Sequence, residues 1–312
     1  MIDLLKLRTS NIQIINNLLQ HSDFIDCKPI NNYYKSFRQK EGFKISLHFR
    51  KAKERGITVG YGYVDIIISP HYHKNKYLHN GDDFTPLECI KSISEILEYL
   101  KIKQRNRNEL KIVNIEFGFN IIPNTDIKNI IDGLFFYSRK RFIQKYNDIE
   151  TFKISDATKY KEVKAYAKGL QFIDKPCYNI DRNTLRFEVR AKKTDKIKTY
   201  GLVNVCDLLN IGIYERLMIE LLKEWDFVLL INVNPCTVKM INKDIIFLDK
   251  CKNVDFWIKT LTEKHRNTFA KTKSKYFKIL NSSNNLHTEI KAKIIDKITQ
   301  FTSVQTFHRK TA

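Results

Sequence analysis

The sequence predicts an α+β fold: a curved antiparallel sheet with flanking helices, followed by a mostly helical, basic C-terminal region. Three observations carry this. Strand-sized aliphatic and aromatic runs fill the first 200 or so residues, helix starts are interleaved with them, and apolar residues recur at helical spacing from about Val203. The boundary falls near residues 202–212. It gives an α+β unit over 1–205 and a mostly helical, basic DNA-binding or accessory unit over 206–312, with no internal repeat.

Up to about residue 55 the text is mixed, although residues 42–50 have strand content. Residues 57–69 read as a strand, bulged or turned at Gly60 and Gly62. Thr85-Pro86-Leu87-Glu88 is a helix start. Thr85 can cap, Pro86 takes the first helical position and Glu88 completes a capping box. Ile90, Ile93, Ile96, Leu97 and Leu100 give that helix its apolar stripe. Residues 110–122 alternate over part of their length, as a central strand would. A second helix from Thr125 would bury Ile127, Ile130, Ile131 and Leu134. Residues 163–166 and 185–189 are short strands, separated by a loop with Asp174, Pro176 and Asn179. Leu208, Ile211, Tyr214, Leu217 and Leu221 mark a further helix. Residues 254–269 mark another, with Trp257, Ile258 and Leu261 on one side.

Composition narrows the function. At 43% hydrophobic and 12% aromatic, the 312 residues can bury a core, which excludes global disorder. Only strand-sized apolar runs such as 227–231 occur, far short of the roughly 20 residues that cross a bilayer. The first residues carry no basic leader with an apolar stretch, so no signal peptide is expected. Six scattered cysteines read as thiols in a reducing compartment, and a cytoplasmic protein is expected. The charge of +21, from 55 Lys and Arg against 34 Asp and Glu, suits an anionic partner, nucleic acid above all. A codon bias toward Lys, Asn and Ile is the mundane alternative. From Lys264 onward there are eleven Lys or Arg against only Glu289 and Asp296, an extension able to track a phosphate backbone or to form an ordinary solvated helix pair.

Four sets of residues can carry chemistry. His71, His73 and His79 fall within nine residues, and an extended His-x-His would put both rings on one face, where imidazole suits a divalent metal; histidines in a polar surface loop are the plain alternative. Glu116 is a lone carboxylate in an apolar strand. Glu188 lies between Arg186 and Arg190, which a cross-sheet charge ladder would explain. Two acids on adjacent strands can also hold a hard cation such as Mg2+. Among fifteen tyrosines, Tyr166 lies between Lys164 and Lys168, and Tyr200 follows Lys192, Lys193, Lys196 and Lys198. A phenol attacking a phosphodiester needs such cations as well as a base or metal, whereas base stacking or packing asks less of either residue. No nucleotide-binding Gly-x-x-x-x-Gly-Lys-Ser/Thr loop, zinc-finger spacing or Gly-x-Ser-x-Gly elbow is present.

Taken in order, these segments resemble the phage and plasmid replication initiators of the filamentous-phage type, including those of Bacteroidetes plasmids, which start rolling-circle replication. Ile68-Ser69-Pro70-His71-Tyr72-His73-Lys74, with Asn80 and Asp83-Phe84-Thr85, is similar to that family's Gly-Ser-Leu-His-Lys-Phe segment and its follow-on. Ile115-Glu116-Phe117-Gly118-Phe119-Asn120 resembles its Ile-Glu-Phe-Gly-Val-Asn strand. Lys164 to Gly169 resembles its Lys-x-Tyr-Asp-Lys-Gly element, and Leu185-Arg186-Phe187-Glu188-Val189 its Leu-Arg-x-Glu strand. Asp207-Leu208-Leu209 resembles the Leu-Ala-Asp-Leu-Leu that follows. The quoted matches span residues 68–210.

The resemblance implies a rolling-circle initiator or relaxase-like fold in a bacterial host cytoplasm, and a site-specific nicking and joining enzyme dependent on Mg2+ or Mn2+. A tyrosine would cut one strand at a double-stranded origin, keep the 5′ end as a phosphotyrosine, and free a 3′-OH. Displaced single-stranded DNA and a host helicase, polymerase and single-strand binding protein would be the partners, with no membrane. Applied to this chain, His73, Glu116 and Glu188 are the metal candidates. Tyr166 is favoured over Tyr200 as nucleophile, and Lys168, Lys74 and Arg186 would neutralise the scissile phosphate. Lys164, Arg190, Lys192 and Lys193 extend the surface expected to meet DNA, as do Arg266, Lys271, Lys273 and Lys275 toward the C-terminus. One departure stands out: Ala167 occupies the family's Asp position, so either the site is weakened or Glu162 or Asp174 substitutes. A non-catalytic origin-binding protein and a plasmid mobilisation relaxase are the alternative functions.

Overall fold

A computed structural model describes residues 1–27, 34–39, 45–144, 152–235, 237, 240–263, 265, 267–280 and 285–310. The chain begins with β1 (Ile2–Thr9), whose Leu5 and Leu7 alternate with Lys6 and Arg8, so one face is apolar and the other charged. Helix α1 (Ile12–Leu19) follows, then β2 (Phe24–Cys27), β3 (Tyr34–Gln39), β4 (Ser46–Glu54) and β5 (Ile57–Ile68). The register of β4 and β5 shifts at Gly60, where φ is +132°, fulfilling the expected bulge.

Pro70 opens the short helix α2 (Pro70–Lys74), and the expected capping box starts α3 (Pro86–Tyr99): the Thr85 side chain accepts from Glu88 N while Glu88 accepts from Thr85 N. The central strand is β6 (Lys111–Ile121), followed by α4 (Ile127–Gly133), β7 (Leu134–Tyr137) and β8 (Lys140–Arg141). Leu134, expected at the end of that helix, instead starts β7. Next come β9 (Phe152–Thr158), β10 (Lys161–Ala167), β11 (Leu185–Ala191) and α5 (Thr194–Lys198). Among the described residues the remaining main elements are β12 (Val228–Leu230) and the helices α6 (Ile211–Asp226), α7 (Asn242–Cys251), α8 (Val254–Thr262), α9 (Thr268–Leu280) and α10 (Leu286–Lys310). The single helix expected over 254–269 is thus two.

Nine strands form one antiparallel sheet in the order β2-β3-β4-β5-β1-β6-β11-β10-β9, and β12-β7-β8 form a smaller one. The apolar face of the large sheet, with Ile115, Phe117, Phe119, Val163, Phe187 and Val189, shares one core with Ile93, Leu217, Leu221, Trp225 and Ile290 of the helices. A second cluster gathers Phe136, Leu229, Trp257, Phe269 and Tyr276 between the small sheet and helices α7 to α9. Among the described residues no helix is long and apolar enough to cross a membrane. Cys89 and Cys251 are buried free thiols, and Cys177 and Cys206 are exposed ones.

Candidate metal centre and tyrosine

Packing one face of the large sheet against helices leaves its other face to the alternate residues. Register brings them together: Glu188 on β11 lies opposite Gly118 on β6 and Lys164 on β10, and Arg190 lies opposite Glu116 and Glu162. Tyr166 pairs with Arg186 one step along. Gly118 is what lets Glu188 settle there, since a Cβ at that position would come within 2.3 Å of Phe187 O and 2.8 Å of Glu188 Cγ. Beyond β6, the pairing of β1 skips from Ile2 to Leu4, and this bulge turns Asp3 toward the same spot.

Asp3, Glu116 and Glu188 each present a carboxylate oxygen, and the three oxygens lie within 4.8 Å of one another. Tyr166 Oη donates to Glu188 Oε1 at 2.9 Å. The Arg186 guanidinium binds Glu188 through Nε and approaches Asp3 at 3.2 Å through Nη2, while donating to Asn120 Oδ1 at 3.0 Å. Lys164 Nζ bonds Glu116 and lies 3.7 Å from Glu188. Lys168 Nζ is 5.5 Å from the centre of the Tyr166 ring and donates to Gln171.

The electrostatics follow from burial and counting. Burial pushes Glu116 up to about 8, with the Glu188 charge adding to it and Lys164 opposing. Glu188 is also buried, but Arg186 and Lys164 hold it below the usual range. For Asp3, burial is likewise outweighed, by Arg186 first and His71 next. Glu116 is therefore the carboxyl of the three most disposed to hold a proton. A divalent cation in place of that proton would satisfy all three, and hard oxygen donors suit Mg2+ or Mn2+. The residues fit such an ion. Burial and the Glu188 charge push the Tyr166 phenol well above its ordinary value.

The sequence-predicted residues divide. Glu116, Glu188, Tyr166, Lys164, Lys168 and Arg186 converge. His73 does not: Pro70 makes residues 70–74 helical, so His71 and His73 do not share a face as they would on a strand. His73 bonds Tyr77 Oη at 2.6 Å and Glu95 at 3.1 Å, away from the carboxylates. His71 is the histidine that faces the cluster. It is stacked on Phe84, bonded to Asp82 at 2.8 Å through Nε2, and has Nδ1 3.7 Å from Asp3. Tyr200 lies behind the sheet, its ring edge-on to Phe117 on the apolar face and its buried hydroxyl without a partner among the described residues.

Several expected DNA contacts are internal ion pairs: Lys74 with Asp82 and Glu88, Arg190 with Glu162, and Lys192 with Glu162. Lys193 is exposed. Lys271 and Lys275 lie on the exposed side of α9, but Lys273 is turned inward, donating to Asp226 O at 3.0 Å. Arg266 lies outside the described residues. Ala167 faces the apolar core, opposite to Tyr166, so an Asp there would point away from the cluster. Neither Glu162 nor Asp174 joins the cluster, whose third carboxylate is Asp3. Sequence reasoning passed over Asp3, although the Leu5-Lys6-Leu7-Arg8 alternation beside it marks a strand.

No family model matches the sequence, and neither does any curated protein. The fold is similar to the solved structure of a rolling circle replication initiator protein from Geobacillus stearothermophilus at 12% identity and a TM-score of 0.42, covering 81% of this chain and 96% of that one. A likeness at that level carries no argument about function.

Proposed function

We propose that the chain is a metal-dependent replication initiator that nicks and rejoins one DNA strand through Tyr166. The observation that supports this most directly is the Tyr166 hydroxyl bonded at 2.9 Å to one member of a three-carboxylate cluster flanked by Lys164, Lys168 and Arg186. A nucleophile, a base oriented by an arginine, and cations for a phosphate are the parts that phosphoryl transfer to a phenol requires.

In this reading Tyr166 Oη attacks the phosphorus, its proton passes to Glu188, and the bond from phosphorus to the 3′ oxygen breaks. Arg186 orients Glu188, and Lys168 neutralises the phosphate and supplies the proton that the leaving 3′ oxygen takes up. A divalent cation held by Asp3, Glu116 and Glu188 would supply charge stabilisation to the phosphate oxygens. The reverse steps rejoin the strand, since the phosphotyrosine ester conserves the bond. Double-stranded origin DNA is the substrate, and host helicase, polymerase and single-strand binding protein complete replication.

A second reading, a non-catalytic DNA-binding protein with a structural ion network, is favoured by one observation: Tyr166 is only 6% exposed. Supercoiled DNA carrying the replicon's own origin, incubated with Mg2+ or Mn2+ and run under denaturing conditions, separates the two. A nicked circle with protein on its 5′ end, absent in chelator and with Tyr166→Phe, supports the enzyme. Origin binding without a nick supports the second reading.

A further inference from the structure

A cavity of 690 Å³ opens where the small sheet, the edge strand β9 and the junction of α7 with α8 meet. Lys153, one of its lining residues, pairs with Ala165 of β10 and so points to the face opposite Tyr166 and Glu188. The cavity is therefore separate from the carboxylate cluster. Three cations line it: Arg141 on β8, Lys153 on β9 and, about a hundred residues on, Lys252 just past α7. Among the described residues no acidic side chain lines it, and Phe135, Phe142 and Ile143 give it an apolar wall.

These cations are poorly matched by the protein itself. Among the described residues Lys153 Nζ bonds only backbone carbonyls, Asp132 O at 3.2 Å and Leu134 O at 3.4 Å. Arg141 forms no ion pair among the described residues. Lys252 pairs with Asp249 at 2.9 Å along one helix, an exposed contact that an incoming anion can displace. Burial and the Arg141 charge lower the Lys153 ammonium to about 8, with Asp132 opposing. Such a set is relieved by an anion, and a neighbouring apolar wall selects an anion that carries a flat apolar body.

We propose that this cavity binds one nucleotide, with Arg141, Lys153 and Lys252 on its phosphate and its base against Phe135 and Ile143. The nucleotide is either free or part of a single strand. The site is independent of the nicking reading, because its test needs neither metal nor cleavage.

The test is calorimetric titration of the full chain in chelator with adenosine 5′-monophosphate, with inorganic phosphate, and with an eight-nucleotide strand unrelated to any origin. Arg141→Ala and Lys252→Ala alter exposed side chains and leave the fold intact, and Lys91→Ala on α3, 77% exposed, is the charge control. The expected result is a loss of about tenfold in affinity for each cavity variant and little change in the control. Loss with the mononucleotide identifies a free nucleotide as sufficient, and loss with the strand alone identifies a strand nucleotide. The proposal is overturned if neither probe binds, if the cavity variants match Lys91→Ala, or if phosphate binds as tightly as the mononucleotide.

Discussion

Lys164 reaches across an intervening strand to Glu116. The two residues belong to β10 and β6, which are not neighbours, and Glu188 of β11 lies between them within 3.7 Å of the same ammonium. One lysine thus holds two carboxylates that would otherwise repel, and it does so beside the Tyr166 hydroxyl. This compensation is incomplete, as the raised Glu116 carboxyl records.

The contribution of Glu116 to stability in chelator should fall as pH rises, against the opposite slope of the Met1 amino group, His71 and His287, whose buried forms are held neutral. Glu116 is held up near 8 against an ordinary 4.5, so the folded state binds a proton that the unfolded chain releases. Its contribution is full below the unfolded value and is lost as pH rises through about 8. In thermal melts from about pH 5 to pH 9 in chelator, the stability of the parent relative to Glu116→Gln should show that decline. Divalent affinity should run the other way, rising about tenfold per pH unit until about 8.

Replacing Arg186 tests the other cation. Arg186→Met leaves Asp3 and Glu188 buried without their guanidinium, and loss of a buried partner costs about 3–5 kcal/mol. Urea denaturation should report that loss, and a variant as stable as the parent would contradict the ion-pair account.

Tyr166 and Tyr200 should separate cleanly. Tyr166→Phe removes the hydroxyl bonded to Glu188 and should abolish the covalent adduct in the nicking assay. Tyr200→Phe removes a buried hydroxyl that has no partner among the described residues. It should leave nicking unchanged and stability unchanged or higher by up to about 1 kcal/mol in calorimetry.

Gly118→Ala should disable the cluster without touching a charge. The added methyl meets Phe187 O and Glu188 Cγ, so β11 or Glu188 must move. A stability loss of about 1–3 kcal/mol is expected, together with weaker Mn2+ binding in titration calorimetry.

For nonspecific duplex DNA, the lysines should differ by their partners. Lys271 and Lys275 are exposed on α9, so removing both should lower the logarithmic salt slope by about 2. Lys74→Ala should change it little, because Asp82 and Glu88 already neutralise that charge. Fluorescence anisotropy across a salt series measures both.

Much of this was legible in the sequence where local chemistry decides. The Thr85 capping box and the β6 and β11 strands follow from caps and period-two alternation, whereas the grouping of Glu116, Glu188, Lys164 and Tyr166 came only from the family resemblance, because alternation does not say which strands are neighbours. What failed depended on longer-range facts. His73 was read on a strand, but Pro70 started a helix and gave the cluster side to His71. Asp3 was passed over because only a bulge in β1 turns it inward, and a bulge is fixed by the partner strand. Arg190 and Lys192 were expected to meet DNA, but the acids that pair with them, Glu162 for both and Glu116 for Arg190, lie on neighbouring strands that the sequence does not order.

The strand order also sets when the centre can exist. Asp3 arrives with the first strand and Glu188 with the eleventh, yet they meet across β6. During synthesis, the emerging chain therefore carries its carboxylates far apart until β11 has left the ribosome and closed a loop of most of the α+β region. Until that late closure a nascent chain has no assembled carboxylate cluster.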